Sequence, residues 1–302
     1  MIPEEMNRRQ AILLTTTGLA GCITSGRVNT GYIDAHSHIW TTDIKRFPLR
    51  KGVAVGDLKP SSFTAKDLIH LGFTENVKRH VLISHGPYHG YNNDYYTHAA
   101  AQHPGVFAVV GAMDPSLDHI PDRMRANRKL GITGYRIKPN NDANWLQAKP
   151  MQTMWKTGGT ENIALCPLID PKYVADLGPM CHRFPDTTVV IDHCARIDNQ
   201  HKEELNQLCA LSKHPNVYVK ISAFYAFGNK KPPYLEQIPK IKRLFESFGP
   251  KKLMWASDCP YQLENGNTYS ASVNLVRDRL DFLSNDDKDW LLRLTAEKVF
   301  FS

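Results

Sequence analysis

Two histidines one residue apart, His36 and His38, close the apolar run that begins Tyr32-Ile33-Asp34-Ala35, and a carboxylate, Asp258, closes another, Leu253-Met254-Trp255-Ala256-Ser257. In an extended strand alternate side chains share a face, so the two imidazoles lie about 7 Å apart along the strand. Such a pair can hold one metal ion or one substrate oxygen, and an acid beside it can move a proton. A bare His-x-His is more often two solvated side chains at a strand end. What raises this one above that reading is the acid at the end of a second apolar run, because a closed barrel brings its first and last strands together.

The elements that would position these groups recur along the chain. Apolar runs rich in β-branched residues cover 32–38, 79–85, 106–113, 132–138, 163–169, 188–194, 216–222 and 252–257, with helix-like spacing between them at 65–74, 120–130, 202–212 and 234–248. Eight strands alternating with helices predict an α/β fold, a single-domain (β/α)8 TIM barrel over residues 32–302. Strands buried on both faces read as nearly continuous apolar runs, as these do. An open doubly wound sheet would carry a glycine-rich phosphate loop after its first strand, where His36-Ser37-His38 stands instead. In a barrel the C-terminal ends of the strands face one shared mouth. Reading each run's last polar residues puts His85, Arg136, Lys138, Asp170, Asp192, His193, Arg196, Lys220 and Asp258 there. Arg136, Lys138, Arg196 and Lys220 are cations that favour an anionic small molecule, since guanidinium forks match carboxylates. Each can instead be half of a rim ion pair with Asp170, Asp192 or Asp198, and Lys220 can be a buried partner of Asp258. Tyr88, Tyr91, Tyr95 and Tyr261 can stack on a ring or simply pack.

Asp34-Ala35-His36-Ser37-His38-Ile39-Trp40, Gly134-Tyr135-Arg136, Val190-Ile191-Asp192-His193, Val219-Lys220-Ile221-Ser222 and Ala256-Ser257-Asp258-Cys259-Pro260 together resemble the amidohydrolase superfamily. The similarity runs from about Tyr32 to Phe301 and is nearest the amidohydrolase-related lactonases that act on 2-pyrone-4,6-dicarboxylate, sugar-acid lactones and muconolactones. The resemblance implies that His36 and His38 are the first-strand pair, His193 the strand-six histidine and Asp258 the strand-eight proton-transfer acid. In metal-using members the pair and the acid bind a divalent ion, so His36, His38 and Asp258 are the candidate metal ligands. Some members of the branch work without metal, and the expectation is one divalent ion, zinc first, or none. The fifth run, Leu165-Cys166-Pro167-Leu168-Ile169-Asp170, lacks the histidine many members place there, which argues against two metal ions. The function implied is hydrolysis of a lactone or related ester-like bond in an acidic cyclic substrate. The alternatives are metal-dependent non-oxidative decarboxylation of an aromatic or muconate-like acid, and a solute-binding barrel without turnover. His85, His89 and the other histidines are read as outside the chemistry.

The net charge is +7, but lysines and arginines are scattered, so no nucleic-acid stripe is expected. Six cysteines show no Cys-x-x-Cys pair; five of them, at 166, 181, 194, 209 and 259, are an odd set that argues against a disulfide framework. The sixth, Cys22, follows Arg8-Arg9, the apolar stretch 11–20 and Leu19-Ala20-Gly21. This resembles a twin-arginine export signal, residues 1–21, ending in a lipoprotein cleavage box, with a short linker at 22–31. The expected product is an exported bacterial lipoprotein, anchored to the membrane by a lipid on Cys22, on the periplasmic or cell-surface side. Cys22→Ser should release the protein from the membrane fraction or leave it unprocessed, and intact Met1 to Gly21 on membrane-purified protein would overturn this.

Overall fold

The computed structural model describes residues 31–302 apart from residue 141, so the expected export segment, its lipidated Cys22 and nearly all of the linker lie outside the described residues. Eight strands, β1 (Tyr32–Ser37), β2 (Val77–Ile83), β3 (Phe107–Gly111), β4 (Ile132–Ile137), β5 (Ala164–Pro167), β6 (Val189–Ile191), β7 (Val217–Ile221) and β8 (Leu253–Trp255), run parallel in sequence order around one barrel. The expected (β/α)8 barrel is present. Helices between strands cover its outside, among them Ala65–Phe73, Ile120–Arg128, Lys202–Ala210 and Ile238–Phe248. The first starts at a reciprocal cap: Thr64 accepts from the Asp67 amide, and Asp67 accepts from the Thr64 amide at 2.7 Å. The last is a turn shorter than its apolar spacing suggested, because Leu235–Gln237 forms a separate 3-10 turn before it.

Inside the barrel, Ile33, Ala35, Val81, Ile83, Val110, Cys166, Val190 and Met254 pack as one buried cluster, with Phe300 of the C-terminal helix against it. The polar layer at the mouth, His36, Asp192, His193, Lys220 and Asp258, is also buried. Strict alternation from Ile33 and Ala35 would bring Ser37 inward rather than the histidines. The β1–β2 register shifts between Asp34 and Ser37, and this irregularity turns His36 and His38 toward the mouth.

The apolar runs extend past the strands at two places that matter. After β6, His193, Cys194, Ala195 and Arg196 all take left-handed backbone, with φ of 51, 51, 54 and 55°, and after β8 Asp258 does so at φ 67°. Non-glycine residues rarely adopt this region unless the surroundings enforce it. Here the chain leaves the ladder so that His193 and Asp258 can face each other.

Between β8 and β1 side chains take over much of the joining. The described pairing consists of the single bridge Ser37 to Cys259, with the Asp258 amide donating to the His36 carbonyl at 2.8 Å and the His38 amide to the Cys259 carbonyl at 2.7 Å. Beneath them the buried Asp34 carboxylate accepts from the Ser257 amide (2.8 Å), Ser257 Oγ (2.5 Å), Ser37 Oγ (2.6 Å) and Tyr269 Oη (3.0 Å). Burial alone would raise the proton affinity of Asp34, but His80 and the serine hydroxyls more than offset this and hold the carboxyl below its usual range. Asp34→Asn turns an amide toward these donors, so urea unfolding should show a loss of about 3 kcal/mol; an unchanged midpoint would show that the seam does not need the charge.

Candidate active site

Asp258 sits where three imidazoles converge. Its Oδ1 is 3.4 Å from His36 Nε2 and 3.3 Å from His38 Nε2, and its Oδ2 is 3.8 Å from His193 Nε2. Tyr225 donates its phenol to Oδ2 at 2.7 Å, whereas the buried Oδ1 has no hydrogen-bond partner. The tautomers follow from the remaining partners. His38 Nδ1 lies 2.8 Å from the Ile83 carbonyl, which can only accept, so Nδ1 carries the hydrogen and Nε2 a lone pair. His36 Nε2 receives Arg136 Nη2 at 2.7 Å, so its hydrogen is on Nδ1, 3.3 Å from Asp192 Oδ1. His36 Nε2, His38 Nε2 and Asp258 Oδ1 therefore border one small space, into which Arg136 Nη2 also reaches.

This donor set fits a divalent cation. The three atoms lie within 4.8 Å of one another, two imidazole nitrogens and a carboxylate oxygen are a usual catalytic zinc set, and the orphaned Oδ1 wants a positive partner. Among the described residues His36, His38 and Asp258 are the one such cluster. Arg136 Nη2 already uses the His36 lone pair, so an ion there needs the guanidinium to move off toward Asp192, 3.2 Å away.

Below lies a buried ion cluster. Lys220 Nζ is 3.0 Å from Asp192 Oδ1 and 3.4 Å from His36 Nδ1. Of the readings open for Lys220, a substrate cation, a partner of Asp258 or half of an ion pair with an acid such as Asp192, the geometry matches the last: it is wholly buried beneath His36 and pairs with Asp192. Burial pushes the Asp192 carboxyl up, but Lys220 above all, then His36 and Arg136, keep it well below the carboxylate range. For Asp258 burial is likewise outweighed, by His193, His38 and His36, and the carboxyl is held low.

The other expected residues divide by position. A cavity of about 930 Å³ opens above Asp258, lined by His38, His193, Arg136, Lys138, Arg196 and Tyr261 among others. Arg136 Nε faces no partner, and Lys138 is exposed at the rim. Arg196 is a surface ion pair with Asp170 at 2.9 Å. Tyr95 packs on Phe47 and Tyr88 on Trp40, outside the chemistry. The five cysteines are buried and free, and burial lifts Cys166 and Cys181 to about 12.

Sequence reasoning missed Tyr225, Ser222 and His85 as site groups. Ser222 Oγ lies 2.8 Å from His193 Nδ1, and His85 Nε2 is 2.6 Å from Tyr261 Oη with its ring 5.1 Å from that of His38. Ser222 closes the seventh apolar run and was legible as a strand end. Tyr225 belongs to an irregular turn after β7 that no periodicity marks.

At the site burial drives three histidines below their usual range: His193 to about 4, although Asp258 and Asp192 pull the other way, His85 to about 2, and His36 well below 6.5. All three are neutral in the folded protein at neutral pH. The unfolded chain takes up their protons first, so stability is complete above the ordinary histidine range and falls as pH drops from about 6.5 toward 4. Calorimetric melting temperatures should decline steadily from pH 7 to 5, before ordinary carboxylates titrate; a flat profile there would contradict the neutral histidines.

With this geometry in hand, comparison with known proteins is direct. The amidohydrolase family model matches residues 33–301. The L-fucono-1,5-lactonase of Burkholderia ambifaria is 27% identical over 237 residues, 76% of this chain and 80% of that protein. Among solved structures, a probable 2-pyrone-4,6-dicarboxylic acid hydrolase of Acinetobacter baumannii with citric acid bound has a TM-score of 0.76 at 20% identity, covering 90% of this chain and all (100%) of its own. An amidohydrolase of Burkholderia multivorans with bound zinc has a TM-score of 0.74 at 18% identity, covering 89% of this chain and 98% of its own. The family match spans nearly the whole described barrel and both ends of the histidine and aspartate constellation, and the chain belongs to the amidohydrolase family of hydrolytic enzymes.

Proposed function

We propose that this enzyme opens the lactone ring of an acidic cyclic substrate by attack of water. The observation that carries the reading is the ionised Asp258, which lines an open cavity and has its Oδ1 unpartnered beside the Nε2 atoms of His36 and His38, as a base for a neutral water molecule requires. The lactonase relative and the pyrone-dicarboxylate hydrolase fold neighbour support the same bond.

In this reading Asp258 Oδ1 takes a proton from water as the oxygen attacks the lactone carbonyl, while Tyr225 keeps Oδ2 engaged and the carboxylate oriented. His193, with Ser222 Oγ 2.8 Å from its Nδ1, offers a hydrogen on Nε2 to the developing oxyanion in the tautomer in which the hydroxyl is the donor. Collapse of the tetrahedral intermediate breaks the ring carbon–oxygen bond. Asp258 returns its proton to the leaving alkoxide, and the hydroxy acid departs. The unpaired Nε edge of Arg136, with Lys138 at the rim, receives a substrate carboxylate. One divalent ion, zinc by its ligand preference, would be held by His36, His38 and Asp258 and would supply Lewis acidity to this carbonyl or water. The export segment and Cys22 put the site of action outside the cytoplasm in the same reading.

Assay of a panel of carboxylate-bearing lactones, reading acid release and carbon dioxide separately, tests the reaction. Lactone opening without carbon dioxide is expected, with no more than one metal equivalent per chain. Asp258→Asn should fold normally and lose on the order of a hundredfold in turnover. Carbon dioxide release in place of ring opening would replace this reading with decarboxylation, and a folded Asn variant at wild-type rate would remove Asp258 as the base.

A further inference from the structure

The cavity is far larger than a lactone ring with a carboxylate, and one side of it is chemically uniform. Met113 lies two residues beyond β3, Ile137 ends β4 and Leu168 immediately follows β5, so three adjacent strand ends each contribute an apolar residue to the cavity lining. Met151 and Met154 come from the first turns of the helix Lys149–Glu161, three residues apart and therefore on one helix face, and both line the same cavity. Met113 and Met151 are each 8% exposed and Met154 1%, so the wall is packed behind and open only toward the cavity. The polar side chains of this sector stay at its edge: Lys138 and Asn140 are exposed, and Arg196 is occupied by Asp170 at 2.9 Å.

We propose that this wall binds an apolar arm of the substrate, an alkyl or aryl substituent on the lactone, and that the enzyme disfavours polyhydroxylated sugar lactones; the inference rests on the lactone-opening reading. Each hydroxyl of a sugar lactone turned toward Met113, Met151 and Met154 loses water and finds no donor or acceptor in return. An alkyl or aryl arm there gains contact and loses nothing polar. Thioether side chains adapt to arms of different outline, so the selection is for apolarity rather than for one shape. The acid-binding edge of Arg136 and this wall border the same cavity, so the substrate class is a lactone with a polar, anionic end and an apolar end.

The test pairs lactones of equal ring size and equal carboxylate placement, one bearing a butyl or phenyl arm and the other hydroxyl groups. The armed lactone should show a kcat/KM at least about tenfold higher. Met151→Gln and Met113→Gln keep length while adding an amide, and each should shrink that ratio; two positions guard against one variant failing to fold. Calorimetric binding of the matching cyclic ketones, which have no ring oxygen to expel, reads the same preference without turnover, and the armed ketone should bind about tenfold tighter. Lactones opened with equal or reversed preference would overturn the wall while leaving the lactonase reading intact. Tighter binding of the armed ketone with no lactone opened would support the wall and remove the reaction. Equal ketone binding would overturn the wall whatever the turnover.

Discussion

The site depends on a carboxylate that does not touch the cavity. Asp192 lies wholly buried against Lys220 at 3.0 Å, Arg136 at 3.2 Å and His36 at 3.3 Å. Removing such charges from water costs several kcal/mol each, and only close pairing offsets it. The pairing has chemical consequences above it. Asp192 fixes the hydrogen of His36 on Nδ1 and anchors Arg136, whose buried Nε is left without a partner. Arg136 and Lys220 balance Asp192 and Asp258, with His36 and His193 held neutral by burial. A divalent ion added there leaves a positive excess that an anionic ligand satisfies, which agrees with an acidic substrate.

Much of this was legible in the chain, and the misses have physical causes. The barrel could be read because strands buried on both faces are continuous apolar runs, and all eight runs overlap a strand. Their ends were overrun at β6 and β8, where His193 and Asp258 look like strand residues in composition but turn through left-handed backbone. The same-face placement of His36 and His38 was right, but the inward direction comes from a register shift that side-chain alternation cannot reveal. Lys220 could not be assigned from the chain because a cation at a strand end looks the same in sequence whether it faces the cavity or a buried acid one strand away. Asp192 was the visible signal for that acid, being charged within an apolar run and directly beside His193. Tyr225, in an irregular turn, and the methionine wall, spread over three strand ends and a helix, have no contiguous pattern to read.

Backbone strain and buried charge meet at Asp258. Its left-handed φ of 67° is held by the following Cys259 and Pro260 and by the Asp258 amide bonded to the His36 carbonyl. A carboxylate so constrained has little rotational freedom, and Tyr225 removes most of the rest. Placement of this carboxylate therefore goes with local strain at the point where the ladder stops.

The seam between β8 and β1 carries one further consequence. Apart from β5–β6, with its single registered pair, the other neighbouring strands are tied by ladders of three or four pairs, but here the two walls meet through one bridge, two amide bonds and the fan of donors on Asp34. Backbone joints of this kind are the first to part in a thermal fluctuation, since fewer hydrogen bonds have to break together. The histidine pair stands on one side of the joint and Asp258 on the other. On warming, catalytic power should thus disappear ahead of bulk helicity, as the hinge line of the barrel runs directly through its reacting centre.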